Sequence, residues 1–460
     1  MNARPNFAAN GAGRDIGSSQ SKPLEAMLAD GSTNPREVSE AVHALGDADL
    51  MTFGLRAYHL NLLSLFGETW SREKIARTAR AAAISKILGG WDYHHCYLPS
   101  LTAAADEPQL EGIPLELVRD VLARGRGLAI ATFHLGPMRY VPSDLAHAGI
   151  ASCVPLARDS FNDYRTARVA NYGAALWKCK RPVNVEDSSG ALTLARTLAE
   201  GGCVISALDG NTGLDGPRGD QRRTIVEILD SKARVKTGLI GMAARFGSPV
   251  LVMVTYTSAG KRHCRAAPMI DPGRALRGEE AERFVEAGAQ SAYSFFGAAL
   301  QEHAGEWCGG DLFHQWRVPG ESRQQDLQEV ERLLELELGA GGRLTINHRR
   351  IVPLSGDGNM IWSDAVSGRC YKLPAEMAAL AGQLIAHGGG VGFDWLGRHS
   401  DAERARMWAF LCQLASRDAI KTIERSDHDE RAKSDSEIVR PSVQGASDTS
   451  EKMHRTVERI

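Results

Sequence analysis

No two of the eight cysteines, at positions 96, 153, 179, 203, 264, 308, 370 and 412, form a C-x-x-C pair. A structural zinc site is therefore not expected, because such sites draw their thiolates from that short spacing. Cys153, Cys203 and Cys412 sit in apolar runs and read as reduced core residues, a usage that suits a cytoplasmic chain. No stretch approaches eighteen uninterrupted apolar residues, so no transmembrane span is expected. The opening residues are polar and rich in Gly, Asn and Ser, without the apolar stretch of a signal peptide. Charge of one sign is missing as well. The formal net charge is -2 over 460 residues, so no global basic field points to nucleic acid, although a local basic patch stays open. No internal repeat is visible.

Two motifs also fall short. The glycine-rich "GLDGPRGDQRR" (213–223) lacks the terminal Lys-Ser/Thr of a nucleotide P-loop. It reads instead as a mobile loop whose Arg218, Arg222 and Arg223 could meet an acidic carrier protein or an RNA backbone. "HHC" (94–96) is similar to the double histidine of peptide-synthetase condensation domains, but the following Asp-Gly is absent.

What remains is an ordinary globular balance, 43% hydrophobic and 24% charged. Residues 1–35 read as a disordered polar arm. Residues 36–126 read as helical; "SREKIARTARAAAISKIL" (71–88) has a Ser start and recurring apolar positions. From residue 127 short apolar strands alternate with helices. Strands are expected at 127–133, 150–157, 181–186, 203–209 and 248–256. Helices are expected at 165–178, 191–202, 236–247 and 280–303. Continuous apolar strands bracketed by helices argue for an α/β sheet covered on both faces. Residues 321–342 read as a charged helical linker, 343–421 as a second small unit of extended pieces and helices, and 422–460 as a disordered tail.

Three features could carry chemistry. His134, in "ATFHLGPMRY", follows a strand, and α/β sheets bind ligands at that carboxyl edge; the plain alternative is a histidine capping a helix. Asp209, in "VISALDGN", also ends a strand. If the two strands are neighbours, its carboxylate orients the imidazole; the alternative is an Asx-turn. Arg158, Arg165 and Arg168 follow another strand and suit an anionic group; the alternative is a solvated helix face. Arg139 and Asn211 are further substrate-binding candidates beside the two strand ends.

Taken in order, Phe133-His134, Gly136, Arg158, Arg168, Gly173, Asp209, Thr237-Gly238, Pro249-Val250 and Trp316-Arg317 resemble the lysophospholipid acyltransferase superfamily, in its branch of late acyltransferases of lipid A biosynthesis. The resemblance covers roughly 50–320. It implies an acyltransferase-like sheet covered by helices, with His134 as general base. The family carries an acid five positions after that histidine, where this chain has Arg139. Asp144 lies five residues further on, about 140° round a helix, and is no substitute. Asp209 is the acid that remains. Three outcomes are open: an Asp209–His134 pair acts, an amine or hydroxylamine replaces the hydroxyl acceptor, or the module only binds. Lipid A enzymes of the family carry an N-terminal anchor not seen here, which points to a soluble acceptor.

Residues 345–421 resemble PqqD-like domains, small winged-helix α+β peptide chaperones. The carriers are a strand-turn-strand ending near Leu373-Pro374, a Gly-Gly break and the closing "FLxxLxxxxxI" helix. That resemblance implies capture of a peptide as an added strand; an oligomerisation appendage is the alternative. The expectation is therefore a cytoplasmic acyltransferase in a specialised-metabolite or modified-peptide pathway. It moves an acyl or aminoacyl group to an amine, hydroxylamine or hydroxyl. The donor is a co-substrate (acyl-carrier protein, coenzyme A thioester or aminoacyl-tRNA), and no bound cofactor or metal is expected. A carrier protein, peptide or tRNA is the expected partner. The rival is a non-catalytic peptide- or carrier-binding protein on a degenerate acyltransferase fold.

Overall fold

The computed structural model describes residues 24–100, 108–170, 179–210, 223–320, 325–356, 359–386 and 390–423. The chain is mixed α/β around a mostly parallel central sheet. Five helices come first: α1 (Leu24–Ala29), α2 (Pro35–His43), α3 (Asp47–Met51), α4 (Leu55–Phe66) and the long α5 (Arg72–Asp92). The Ser71 side chain caps α5 by accepting from the Lys74 N–H, as the sequence start signal requires. A π-helical turn, Tyr93–Tyr97, continues it. The expected arm is shorter than residue 35. Leu24 and Leu28 of α1 pack on the core, and His95 Nε2 meets the Leu28 carbonyl at 2.9 Å.

The alternating stretch follows α6 (Leu115–Ala123). It runs β1 (Leu128–Thr132), α7 (Val141–His147), β2 (Ser152–Leu156), α8 (Arg158–Ala170), β3 (Lys180–Asn184), α9 (Ser188–Ala199) and β4 (Cys203–Ala207). After it come the hairpin β5 (Arg223–Ile228) and β6 (Ser231–Lys236), α10 (Gly238–Phe246), β7 (Val250–Ser258), β8 (Lys261–Ala266), α11 (Gly278–His303) and β9 (Arg317–Val318). The six-stranded sheet has the order β3-β2-β4-β1-β7-β8. All pairings are parallel except the antiparallel edge strand β8. Sequence reading missed β8 and the β5–β6 hairpin, whose charged, alternating residues do not form the apolar runs of the buried strands.

Both faces of the sheet are covered, because alternate side chains feed separate cores. Ala129, Ala131, Val204, Val250 and Val252 join one buried cluster with α4, α5 and α11. Leu128, Ile130, Cys203, Ile205 and Leu251 join another with α6 and α7.

The C-terminal unit holds α12 (Leu327–Gly339), β10 (Arg343–Ile346), β11 (Ile351–Gly356), β12 (Asn359–Asp364), β13 (Cys370–Leu373), α13 (Ala378–Ile385), α14 (Phe393–Leu396), α15 (Asp401–Ser416) and β14 (Ile420–Ile423). Strands β11-β12-β13 make one antiparallel sheet, and β10 pairs with β14. Two expected boundaries change. Helix α12 is no linker: Val330, Leu334 and Leu338, spaced four apart, are buried in this unit's core. Nor is 343–421 wholly separate, because Val352 and Ala365 belong to the large unit's core and the Gly320 N–H donates to the Val366 carbonyl at 2.8 Å.

Candidate active site

Strands β1 and β4 are parallel neighbours, in register from Leu128 opposite Cys203 to Thr132 opposite Ala207. Two residues beyond that last pair stand His134 and Asp209. The register therefore carries both side chains to one carboxyl edge. Asp209 Oδ1 lies 2.8 Å from His134 Nδ1 and also accepts the His134 backbone N–H at 2.9 Å. The other carboxylate oxygen takes the Trp307 indole N–H at 3.3 Å. Asp209 is thereby buried and triply held, with both carboxylate oxygens engaged.

With Nδ1 engaged, Nε2 is the ring's available nitrogen, and 38% of the His134 side-chain surface is open. Burial disfavours the imidazolium, but the Asp209 charge and hydrogen bond outweigh it, against opposition from Arg139. The net effect raises the His134 pKa above the ordinary histidine value.

The turn after His134 is tightly enclosed. Gly136 has φ +56°, and a Cβ there would lie 2.6 Å from the Thr255 carbonyl oxygen, so no other residue fits without displacement. Its N–H donates to the Glu306 carbonyl at 3.0 Å and Pro137 has none, so the backbone after His134 offers little to polarise a substrate carbonyl. Gly309 closes the other side: a Cβ there would lie 3.0 Å from His134 Cβ and 3.1 Å from Asp209 Oδ2.

His134 opens into a cavity of about 310 Å³. Leu28, Phe53, Ile87 and Trp91 supply apolar wall; Lys86, His94, Arg139 and Cys308 supply the polar part. Arg139 stacks 4.9 Å over the Tyr93 ring and donates to the Gly89 carbonyl at 2.6 Å. Lys86 is paired with Asp311. Burial lowers the His94 pKa, with Asp163 opposing and His95 and Arg139 assisting. Burial raises the Cys308 pKa, which disfavours the nucleophilic thiolate, and the thiol donates to the His134 carbonyl at 3.1 Å.

The structure gathers the sequence candidates unevenly. His134, Asp209 and Arg139 come together. Arg158 does not: it is exposed, starts α8 beyond β2, and lies 3.8 Å from Glu186 and 4.0 Å from Asp187. It is not among the residues that line the cavity beside His134. Arg168 is on α8, but its side chain is outside the described residues, as are Asn211 and most of the loop 213–223. Asp144 accepts the N–H groups of Gln109 and Leu110 and anchors a loop. Trp316 and Arg317 lie at the junction with the C-terminal unit, where β9 pairs with β6.

Sequence reading missed Lys86, Cys308 and Asp311, and set His94 aside with the "HHC" motif. One signal was present: the Gly89-Gly90 pair inside an apolar helical run, where glycine weakens a helix and so marks a local role. Among the described residues no group of three or more His, Cys, Asp or Glu could hold a metal ion, and no helix is long and apolar enough to cross a membrane. No family model matches the chain, and no curated protein matches it.

Proposed function

We propose that the protein is an acyltransferase in which His134 is the general base and Asp209 its orienter. The observation that carries this reading is the 2.8 Å contact from Asp209 to His134 Nδ1 at the edge of the sheet, beside a cavity. An acceptor hydroxyl or amine gives its proton to Nε2 as it attacks the acyl carbonyl. The tetrahedral adduct then collapses, breaks the bond to the donor, and the leaving group takes the proton back from Nε2. The buried Asp209 carboxylate favours the imidazolium that exists between those two transfers. Arg139 adds positive charge to the cavity wall.

The donor is an activated acyl or aminoacyl group on a carrier-protein thioester, a coenzyme A thioester or a tRNA. The winged-helix, PqqD-like reading of 343–421 gives that unit the role of recruiting a peptide or carrier. The missing acid at Arg139 is compatible with transfer, because Asp209 supplies the partner from another strand.

The test is thiol release from acyl thioester donors in the presence of amine and hydroxyl acceptors. His134→Ala should lower turnover by about 10²–10⁴-fold while the melting temperature changes little. Equal turnover in the variant and the parent would refute the catalytic role and leave the non-catalytic binding protein as the better account.

A further inference from the structure

The cavity beside His134 has a size, a wall and a charge that together define what fits it. Its 310 Å³ corresponds to about ten water volumes and lies at the small end of ligand sites. A long fatty chain is not enclosed by these walls. Leu28, Phe53, Ile87 and Trp91 give the ligand an apolar body.

The charge is more informative. Lys86 is neutralised by Asp311, and protonated His134 by Asp209. Burial disfavours the charged form of His94. Among the described residues that line the cavity, Arg139 is the remaining cation. It uses one N–H on the Gly89 carbonyl and keeps its stacked plane on Tyr93, which fixes its direction. A guanidinium has five N–H donors, so a pre-positioned fork remains for a planar anion. A single guanidinium charge in a planar fork matches a single planar carboxylate.

We infer that this cavity binds a small monocarboxylate with an apolar body, its carboxylate on Arg139 with Lys86 alongside and its body against Trp91, Phe53 and Ile87. This deepens the acyl-transfer reading, on which its catalytic meaning rests: the group presented to His134 is short and acidic, not a long lipid chain.

Calorimetric titration of the full chain tests it with three probes of one shape: phenylacetate, phenylacetamide and phenyl phosphate. Phenylacetate should bind at least about tenfold more tightly than the neutral amide, the worth of a charged hydrogen bond, and no more weakly than the phosphate. Arg139→Gln should erase the preference for the carboxylate. Lys86→Gln, which leaves the Arg139 contacts to Gly89 and Tyr93 in place, should weaken phenylacetate by several-fold and guards against a folding defect in the first variant; the melting temperature of each unliganded variant reads that defect directly. His134→Ala should keep the affinity and lose transfer, so retained transfer with retained binding would count against the catalytic reading alone. Equal binding of acid and amide, no phenylacetate binding below about 10 mM, tighter phosphate binding, or unchanged affinity in both Arg139→Gln and Lys86→Gln would overturn the inference.

Discussion

At the scale of single residues, the pair His134–Asp209 behaves as a unit because each group fixes the other. The carboxylate holds the ring by Nδ1 and the backbone by its N–H, so the imidazole cannot flip without breaking its Nδ1 bond. Its pKa is raised mainly against burial by the Asp209 charge. A raised folded pKa means that the pair adds stability below the ordinary histidine value of about 6.5, and that this contribution fades as pH climbs through the folded value. A general base must be neutral, so the activity profile should rise with pH through that same raised pKa. Asp209→Asn removes the charge but keeps the shape. Its acid limb should move to lower pH, and turnover should fall by about 10²–10⁴-fold. A pH–rate profile checks both effects, and an unmoved limb would separate Asp209 from the titrating group. At this scale His134 and Asp209 were legible as strand-end polar residues. Cys308 and Asp311 were not, because nothing local distinguishes them; they matter only through what the fold sets beside them.

At the scale of elements, two helices carry the lesson. Helix α5 ends in Gly89-Gly90-Trp91 and a π-helical turn, a feature often found beside functional sites. There the Gly89 carbonyl accepts Arg139, and Lys86 and Trp91 face the cavity. The helix was readable from its periodicity, but its π turn was not; there Tyr93 and Tyr97 pack against Tyr164, which is far off in sequence. Helix α12 is the converse. Its many charges suggest a solvated linker, yet Val330, Leu334 and Leu338 make a buried stripe while Leu333 and Leu336 stay exposed. Leu334→Ala should cost about 2–5 kcal/mol, the usual range for a buried leucine, whereas Leu336→Ala should fall within about 0.5 kcal/mol. Denaturant unfolding of the two variants distinguishes a core helix from a linker, and equal costs would restore the linker.

At the scale of the whole molecule, a buried ion pair inside the C-terminal unit stands beside Val352 and Ala365, the residues that join the large unit's core. Arg350 meets Asp364 through two bonds of 2.8 Å each. Ser367 and the Val366 N–H complete the carboxylate's shell. Burial would push the Asp364 pKa up, but these donors outweigh it and hold the pKa below its ordinary value. The resulting stability is present above the unfolded carboxylate pKa and is lost as pH falls through the lower folded one. Asp364→Ala leaves the Arg350 guanidinium buried without its main partner and should cost about 3–5 kcal/mol. Thermal melting at neutral pH measures it, and a change near zero would show that the pair is dispensable.

The sequence by itself determined the alternation of strands and helices, the ends of the buried strands, and the identity of two polar residues at those ends. These are local properties: apolar runs, caps and breakers act over a few residues. Only the tertiary structure decided that β4 lies beside β1, that Asp209 therefore meets His134, and that Arg139 and Lys86 share one cavity while Arg158 faces away. Strand order and cavity walls come from contacts between residues far apart in the chain, and no short stretch of sequence contains them.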